Sequence, residues 1–222
     1  ARSQFEQPAI TSLDNPLQLF RGILNTRMPR SFITLQFSRR DGNMLSSKHS
    51  RMPAKLITPE LFRKVLSQFP TGVTVVTAPS GPGRVHGMTA NSFTSVSLTP
   101  PLILVCVDQR AKLLSCVMQT RQFGVSILKE SQRELSLYFS KPEQTDDENE
   151  KLGIHYSWTV EGVPLLNGTL ARFACRLNEA HPAGDHSIVV GGVEFAEMEA
   201  GQPLLFFDRL YGGVTRHNGQ HE

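Results

Sequence analysis

The sequence predicts a mainly β domain with peripheral helices, its strands closed or nearly closed into a small barrel. Three observations carry this expectation. Six or seven short apolar runs recur at close spacing between residues 72 and 214, separated by Gly, Pro, Asn, Asp and Ser. Some connections are only turn-length, which rules out a wholly parallel sheet. No GxGxxG opens a helix after the first strand, and Gly81-Pro82-Gly83 falls in a hairpin turn. A doubly wound dinucleotide-binding sheet therefore fails on context.

Each element has its own signal. Thr58-Pro59-Glu60 starts a helix, with an N-cap hydroxyl, proline at the first helical position and an acid in the first turn. Leu61, Phe62, Val65, Leu66 and Phe69 follow at helical spacing and predict one buried face. "GVTVVTA" (72–78) is a β-branched strand, "PSGPGRVHG" a turn, and "MTANSFTSVSL" (88–98) the returning strand of that hairpin. Pro100-Pro101 end it, because proline cannot donate to a ladder. "LILVCV" (102–107) reads as a fully buried strand. A helix over about 111–121 turns Leu113, Leu114, Val117 and Met118 inward.

"FGVSIL" (123–128) is a further strand, and Ser131 caps a short helix to Phe139. "KPEQTDDENEK" reads as a polar, mobile loop. Residues 171–180, 186–199 and 203–214 are late strands, with alternating apolar positions such as Ala171, Phe173, Cys175 and Leu177.

Residues 1–51 are different. They lack periodicity, and only a short helix over Pro16–Leu24 and a weak strand over Ser31–Phe37 suggest themselves. They carry eight Lys/Arg against three acids, while the rest of the chain carries 15 against 17. The patterned domain is slightly acidic, which gives no support to nucleic-acid binding. Met52-Pro53 opens that domain, which spans 52–216 before a short tail at 217–222. Residues 1–51 are then an N-terminal extension, either an arm that wraps a partner subunit or a non-native stretch. Three cysteines without pairing read as small buried hydrophobes in a reducing compartment. No apolar run reaches membrane-helix length and no secretory leader is visible, so a cytoplasmic protein off the membrane is expected.

Four places could carry chemistry. Thr89, Ala90, Asn91 and Ser92 belong to a segment with polar groups on both strand faces, which suits either an edge strand or the floor beneath a flat heteroaromatic ligand. Arg110 and Lys112 flank Ala111 where a strand gives way to a helix, either as solvated charges or as a phosphate site. Asp185 and His186 sit at a strand start, as a turn or as groups that orient a ligand. Tyr211 lies beside Gly212-Gly213, to stack on a ligand or to fill a barrel mouth. No histidine or cysteine spacing suggests a metal.

Taken in order, "FPTGVTVVTA", "GMTANSFTSVSLTPPLILVCVD", "RAKLLSCVMQTRQFGVSIL", "GVPLLNGTLARFACRL", "GDHSIVVGGV" and "PLLFFDRLYGG" resemble the short-chain flavin reductase family over residues 58 to 214. That resemblance implies a homodimeric FMN-binding split β-barrel, with FMN or FAD as flavin and NADH or NADPH as hydride donor. It implies a partner flavin-dependent monooxygenase that receives reduced flavin.

Carried over by motif, Thr89, Ala90, Asn91 and Ser92 would line the isoalloxazine. Lys112, then Arg110 and the intervening Ala111, would meet the phosphate. Asp185 and His186 would sit beside flavin and nicotinamide, with His186 positioning the nicotinamide rather than acting in acid–base chemistry. Tyr211 would lie near the ring. Leu113 departs from relatives, which often carry Thr or Ser there, so phosphate binding would lean on Lys112 and backbone N–H groups, and the flavin would be more exchangeable. A flavin-holding electron carrier of the same fold, or a reductase of a corrinoid or quinone, is the alternative.

Overall fold

The computed structural model describes residues 56–215. The expectations for residues 1–51 and for the tail lie outside the described residues. The first element is helix α1 (Pro59–Leu66), where Thr58 Oγ1 accepts the Leu61 N–H at 3.2 Å as the cap signal predicts.

Its apolar face is not buried. Phe62 is 54 % exposed and the following Phe69 71 %. Helical periodicity locates an apolar stripe but not what covers it, and the described residues place nothing over this one.

Strands β1 (Thr71–Gly72), β2 (Thr74–Pro79) and β3 (Val85–Ala90) follow, with β2 and β3 forming the expected hairpin. The predicted strand 88–98 is two strands. β3 ends at Ala90, and β4 (Thr94–Leu98) begins after three residues. β5 (Pro101–Asp108) pairs with β4. It is not fully buried, since Ile103, Val105 and Val107 face the core while Leu102, Leu104 and Cys106 are half-buried.

Helix α2 (Lys112–Thr120) buries Leu113, Cys116 and Val117. Met118, expected inward, is 48 % exposed, because the buried stripe of this nine-residue helix runs through its second, fifth and sixth positions and leaves the seventh outside it. β6 (Gln122–Ile127) leads to a 3₁₀ turn (Glu130–Gln132) and α3 (Arg133–Phe139). Ser131 is not the cap. Instead Gln132 Oε1 accepts the Lys129 N–H at 2.9 Å. The acidic segment expected as a loop contains α4 (Asp146–Lys151), whose three first-turn acids suit the helix N-terminus and whose Thr145 Oγ1 accepts the Glu148 N–H.

Strands β7 (Tyr156–Trp158) and β8 (Pro164–Leu166) form a small hairpin that the sequence reading did not include. β9 (Ala171–Ala183) and β10 (His186–Met198) form a long one. The last expected strand is a hairpin too, β11 (Leu205–Phe207) and β12 (Leu210–Gly212), turned by Asp208 and Arg209, both left-handed. Asp208 is held there by its N–H to Ser67 O at 2.8 Å and by Gln68 Nε2 donating to its Oδ1 at 3.1 Å.

Seven strands make one antiparallel sheet in the order β3-β2-β6-β9-β10-β5-β4. Its two edges, β3 and β4, are consecutive in sequence and joined only by Asn91–Phe93. Four Cα steps span at most about 14 Å. Seven flat strands would hold those edges about 29 Å apart. The sheet is therefore rolled, with β3 and β4 brought together but not paired to each other.

Val76, Val105, Val107, Phe123, Val125 and Val189 fill one core with Leu113 and Val117 of α2. Val73, Val75, Leu128, Tyr138, Phe139 and Leu204 fill a second. β2 supplies neighbours to both, Val75 to one and Val76 to the other, which is why its run is apolar throughout. No helix among the described residues is long and apolar enough to cross a membrane.

Candidate functional site

The three-residue link between the sheet edges holds the polar stretch singled out in the sequence. Thr89, on β3, does not present a free hydroxyl. Its Oγ1 donates to Ser136 O of α3 at 2.7 Å. Ala90 is buried, and its carbonyl accepts from Thr74 Oγ1 at 2.7 Å. Asn91 is exposed.

Ser92 Oγ accepts the Cys106 N–H and lies equally at 3.0 Å from Cys106 O, to which it donates. β4 pairs Thr94 with Leu104, so continuing that ladder would set residue 92 against residue 106. The Ser92 hydroxyl takes the place of one more backbone rung and fastens the link to β5. A small polar residue here is a structural requirement before it is a ligand contact.

The next two predicted clusters converge. His186 lies opposite Asp108 in the β5–β10 ladder, which brings the start of β10 to the end of β5 and the head of α2. Gly184 turns the β9–β10 hairpin at φ +66°, a conformation that glycine adopts without strain. Gln109 latches the two elements together, its N–H to Asp185 O at 3.0 Å and its Nε2 to Gly184 O and His186 O at 3.3 and 3.2 Å. The latch was not signalled by any motif.

Within this corner the charges are unequal. Arg110 grips Asp108 with two hydrogen bonds, Nε to Oδ1 at 3.1 Å and Nη2 to Oδ2 at 2.8 Å. That side-chain bonding, helped by the Arg110 N–H, holds the Asp108 carboxyl well below the usual carboxylate range. Asp185 is lowered chiefly by its 2.7 Å hydrogen bond with His186 Nδ1.

Lys112 has no such partner among the described residues. It opens α2, whose N-cap, Ala111, provides no side-chain hydrogen bond and whose first turn carries no acid. The free N–H groups and an adjacent ammonium form an anion-binding donor set. Leu113, where the family resemblance leads one to expect a hydroxyl, is fully buried, so in this chain that side chain serves the core.

Tyr211 is apart from this corner. It packs on Phe206 with centroids 5.3 Å apart, under Arg133 and against the second core. Its Oη lies 2.9 Å from Ser136 Oγ. Ser136 is thus the common partner of Tyr211 and Thr89.

A cavity of about 470 Å³ opens beside Lys112, between the β2–β3 turn, α4 and β7. Arg84, His86 and Trp158 line it, and no sequence motif points to any of them. "PSGPGRVHG" reads as turn residues, and nothing local says that the turn folds over α2. Burial and the neighbouring Lys112 cation hold His86 below its ordinary pKa, so it is kept neutral. Cys175 is buried and its thiol is pushed up to about 12, which removes it as a nucleophile at neutral pH.

Known proteins resemble this chain in sequence and in fold. The family model described as "Flavin reductase like domain" matches residues 66–215. The chain is 43 % identical over 153 residues to an NADH-dependent flavin reductase of Rhodococcus sp., covering 68 % of this chain and 84 % of that protein. It is 40 % identical over 158 residues to the reductase component of 4-hydroxyphenylacetate 3-monooxygenase of Thermus thermophilus, covering 68 % and 94 %. Among solved structures, the NADH:FAD oxidoreductase SgcE6 of Streptomyces globisporus, in complex with NAD and FAD fragments, superposes with a TM-score of 0.63 at 34 % identity, over 76 % of this chain and all of that one.

Proposed function

The chain belongs to the flavin reductase-like domain family, and on that premise we propose that it transfers a hydride from NADH to FMN or FAD and passes the reduced flavin to a flavin-dependent monooxygenase. The observation that carries this reading is the head of α2. Lys112 and uncapped N–H groups stand there just beyond the end of β5, the strand to which Ser92 of the Asn91–Phe93 link is fastened and whose last residue, Asp108, lies opposite His186.

These residues suit a flavin by the chemistry of their donors. Lys112 and the α2 N–H groups meet a phosphate. The link between β3 and β4 offers the small side chains Asn91 and Ser92 and its backbone to a flat ring, with Asn91 exposed. Bound there, the flavin supplies the two-electron acceptor, so no protein nucleophile is required. His186, steadied by Asp185 and by the Gln109 latch, orients the nicotinamide. Arg110 contributes less to phosphate binding than Lys112, because Asp108 already neutralises it.

The test is loss of absorbance at 340 nm when NADH and either FMN or FAD are added. No loss with either flavin would sink the reading. His186→Ala should raise the KM for NADH about tenfold while the flavin Kd changes less than twofold, as expected for a lost hydrogen-bonding contact of about 1–2 kcal/mol. Unchanged kinetics would remove His186 from nicotinamide positioning.

The rolled sheet, with adjoining edges that do not pair, supports a split barrel. The uncovered apolar face of α1, continued by exposed Phe207 and Leu210, supports a second copy of the chain as its cover. Light scattering should give twice the 24.7 kDa chain mass, and a monomer at micromolar concentration would refute the dimer.

A further inference from the structure

His86 stands apart from the other histidines of the domain. It shares its face of β3 with Met88 and Ala90, which belong to one core with Leu113 and Val117 of α2. Only 8 % of it is exposed, and it borders the cavity that Lys112 also lines. The ring hydrogen bonds of the described histidines belong to His181 and His186, and His86 makes none among the described residues. A buried polar ring held for structure alone is normally hydrogen-bonded. This one meets a cavity and an ammonium instead.

The charged groups around His86 are few. The β2–β3 turn brings Arg84, α2 brings Lys112 and α4 brings Asp146. Tyr156 of β7 lines the same cavity, and Cys116 lies one turn beyond Lys112. Burial raises the pKa of both, so both stay neutral. β2, opposite in the ladder, has no ionisable side chain, and α3 covers the other face of β3 at Gly87 and Thr89. Two cations against one carboxylate favour the neutral imidazole, as burial does. A phosphate seated on Lys112 reverses that balance. It offsets the ammonium and offers an oxygen to the ring. An imidazolium donates through both nitrogens, where the neutral ring donates through one.

We propose that His86 is a proton-dependent contact for the flavin phosphate, taking up a proton as the phosphate reaches Lys112, so that flavin is held more tightly as pH falls. The proposal rests on the flavin reductase reading and names a pH control of its phosphate site. The sign follows from linkage, since a ligand that favours the imidazolium is itself favoured by protons. Affinity rises as pH falls through the His86 pKa of the complex, and it levels off below the lower pKa of the free protein.

Calorimetric titration in buffers of different ionisation enthalpy counts the protons taken up with the flavin. FAD is the probe, because its two phosphates have no proton to exchange between pH 5 and pH 8. The unmodified protein should bind FAD about tenfold tighter at pH 5 than at pH 8, with uptake of about half a proton midway, the scale of one new charge-assisted contact. His86→Asn, which cannot take a charge, should bind FAD at pH 8 within about twofold of the unmodified protein and lose both the uptake and the dependence on pH. His186→Asn should keep both.

Because His86 is nearly buried, proton counting on the unmodified protein decides the matter without any variant. FAD binding with no proton uptake would overturn this proposal alone. So would uptake that survives in His86→Asn, or that is lost in His186→Asn instead. Oxidation of NADH with added FAD or FMN is the separate measure of the reductase reading. Its absence, together with no binding of either flavin, would sink that reading and this proposal with it.

Discussion

Gly191→Ala should destabilise the domain by about 1–3 kcal/mol, the cost of forcing one methyl group into a filled core. Gly191 lies on β10 at a register shift between Val190 and Gly191, with its face turned into the roll. A Cβ there would stand 2.8 Å from Phe123 Cε1 and 2.9 Å from Cys175 Cβ, and closer still to Phe123 Cζ. Neither neighbour can give way, since both are fully buried and sit on adjacent strands β6 and β9 that pair Phe123 with Cys175.

Urea unfolding is the measurement, read as a lowered midpoint at unchanged slope. Phe123→Leu shortens the obstructing side chain. The double variant should therefore lose less than the sum of the two single losses, by about 1 kcal/mol. A Gly191→Ala midpoint equal to that of the unmodified protein would mean that β10 can shift outward.

Lys112→Ala should weaken FMN and FAD together by about tenfold or more, the usual scale for losing a charged phosphate contact at a partly solvated site. Its thermal midpoint should hardly move, because the side chain is exposed and makes no ion pair among the described residues. Lys112→Arg should recover much of the affinity. Arg110→Ala is the control, for its guanidinium is committed to Asp108 and its loss should weaken flavin binding by about twofold at most. Equilibrium dialysis at two salt concentrations makes the comparison. An equal loss from both substitutions would show that Asp108 releases Arg110 when the phosphate arrives.

Much of the fold was legible from local chemistry. The Thr58 cap, the β-branched run of β2, the head of α2 and the long β9–β10 hairpin each follow from cap residues, branching or period. The failures share a physical origin. The boundary between β3 and β4 is invisible because the Ser92 side chain replaces a backbone rung, and composition does not record which atom makes a hydrogen bond. α4 was missed because it has no apolar face, and its cap and first-turn acids are weak signals inside a charged run.

The site was legible as pieces. "GDHS" and "QRAK" meet because β10 pairs with β5, a contact between residues nearly eighty apart. Arg84 and Trp158 could not be assigned at all, since only the tertiary packing of a turn and a small hairpin brings them to one cavity with Lys112.

The strand order has a further consequence, for the route by which the chain finds its structure. β2–β3, β4–β5 and β9–β10 are neighbours in sequence and can close early as hairpins. β6 has no such partner. It is flanked by β2 on one side and β9 on the other, each separated from it by more than forty residues. It is a wedge between two preformed ribbons. Until it is seated, the β2–β3 pair has no continuous connection to the rest of the sheet, and the edges at Asn91–Phe93 cannot be drawn into the roll. Long loops must be closed before that contact repays them, which makes folding a slow search. The drawing together of the two edges at Asn91–Phe93 is expected among the last steps.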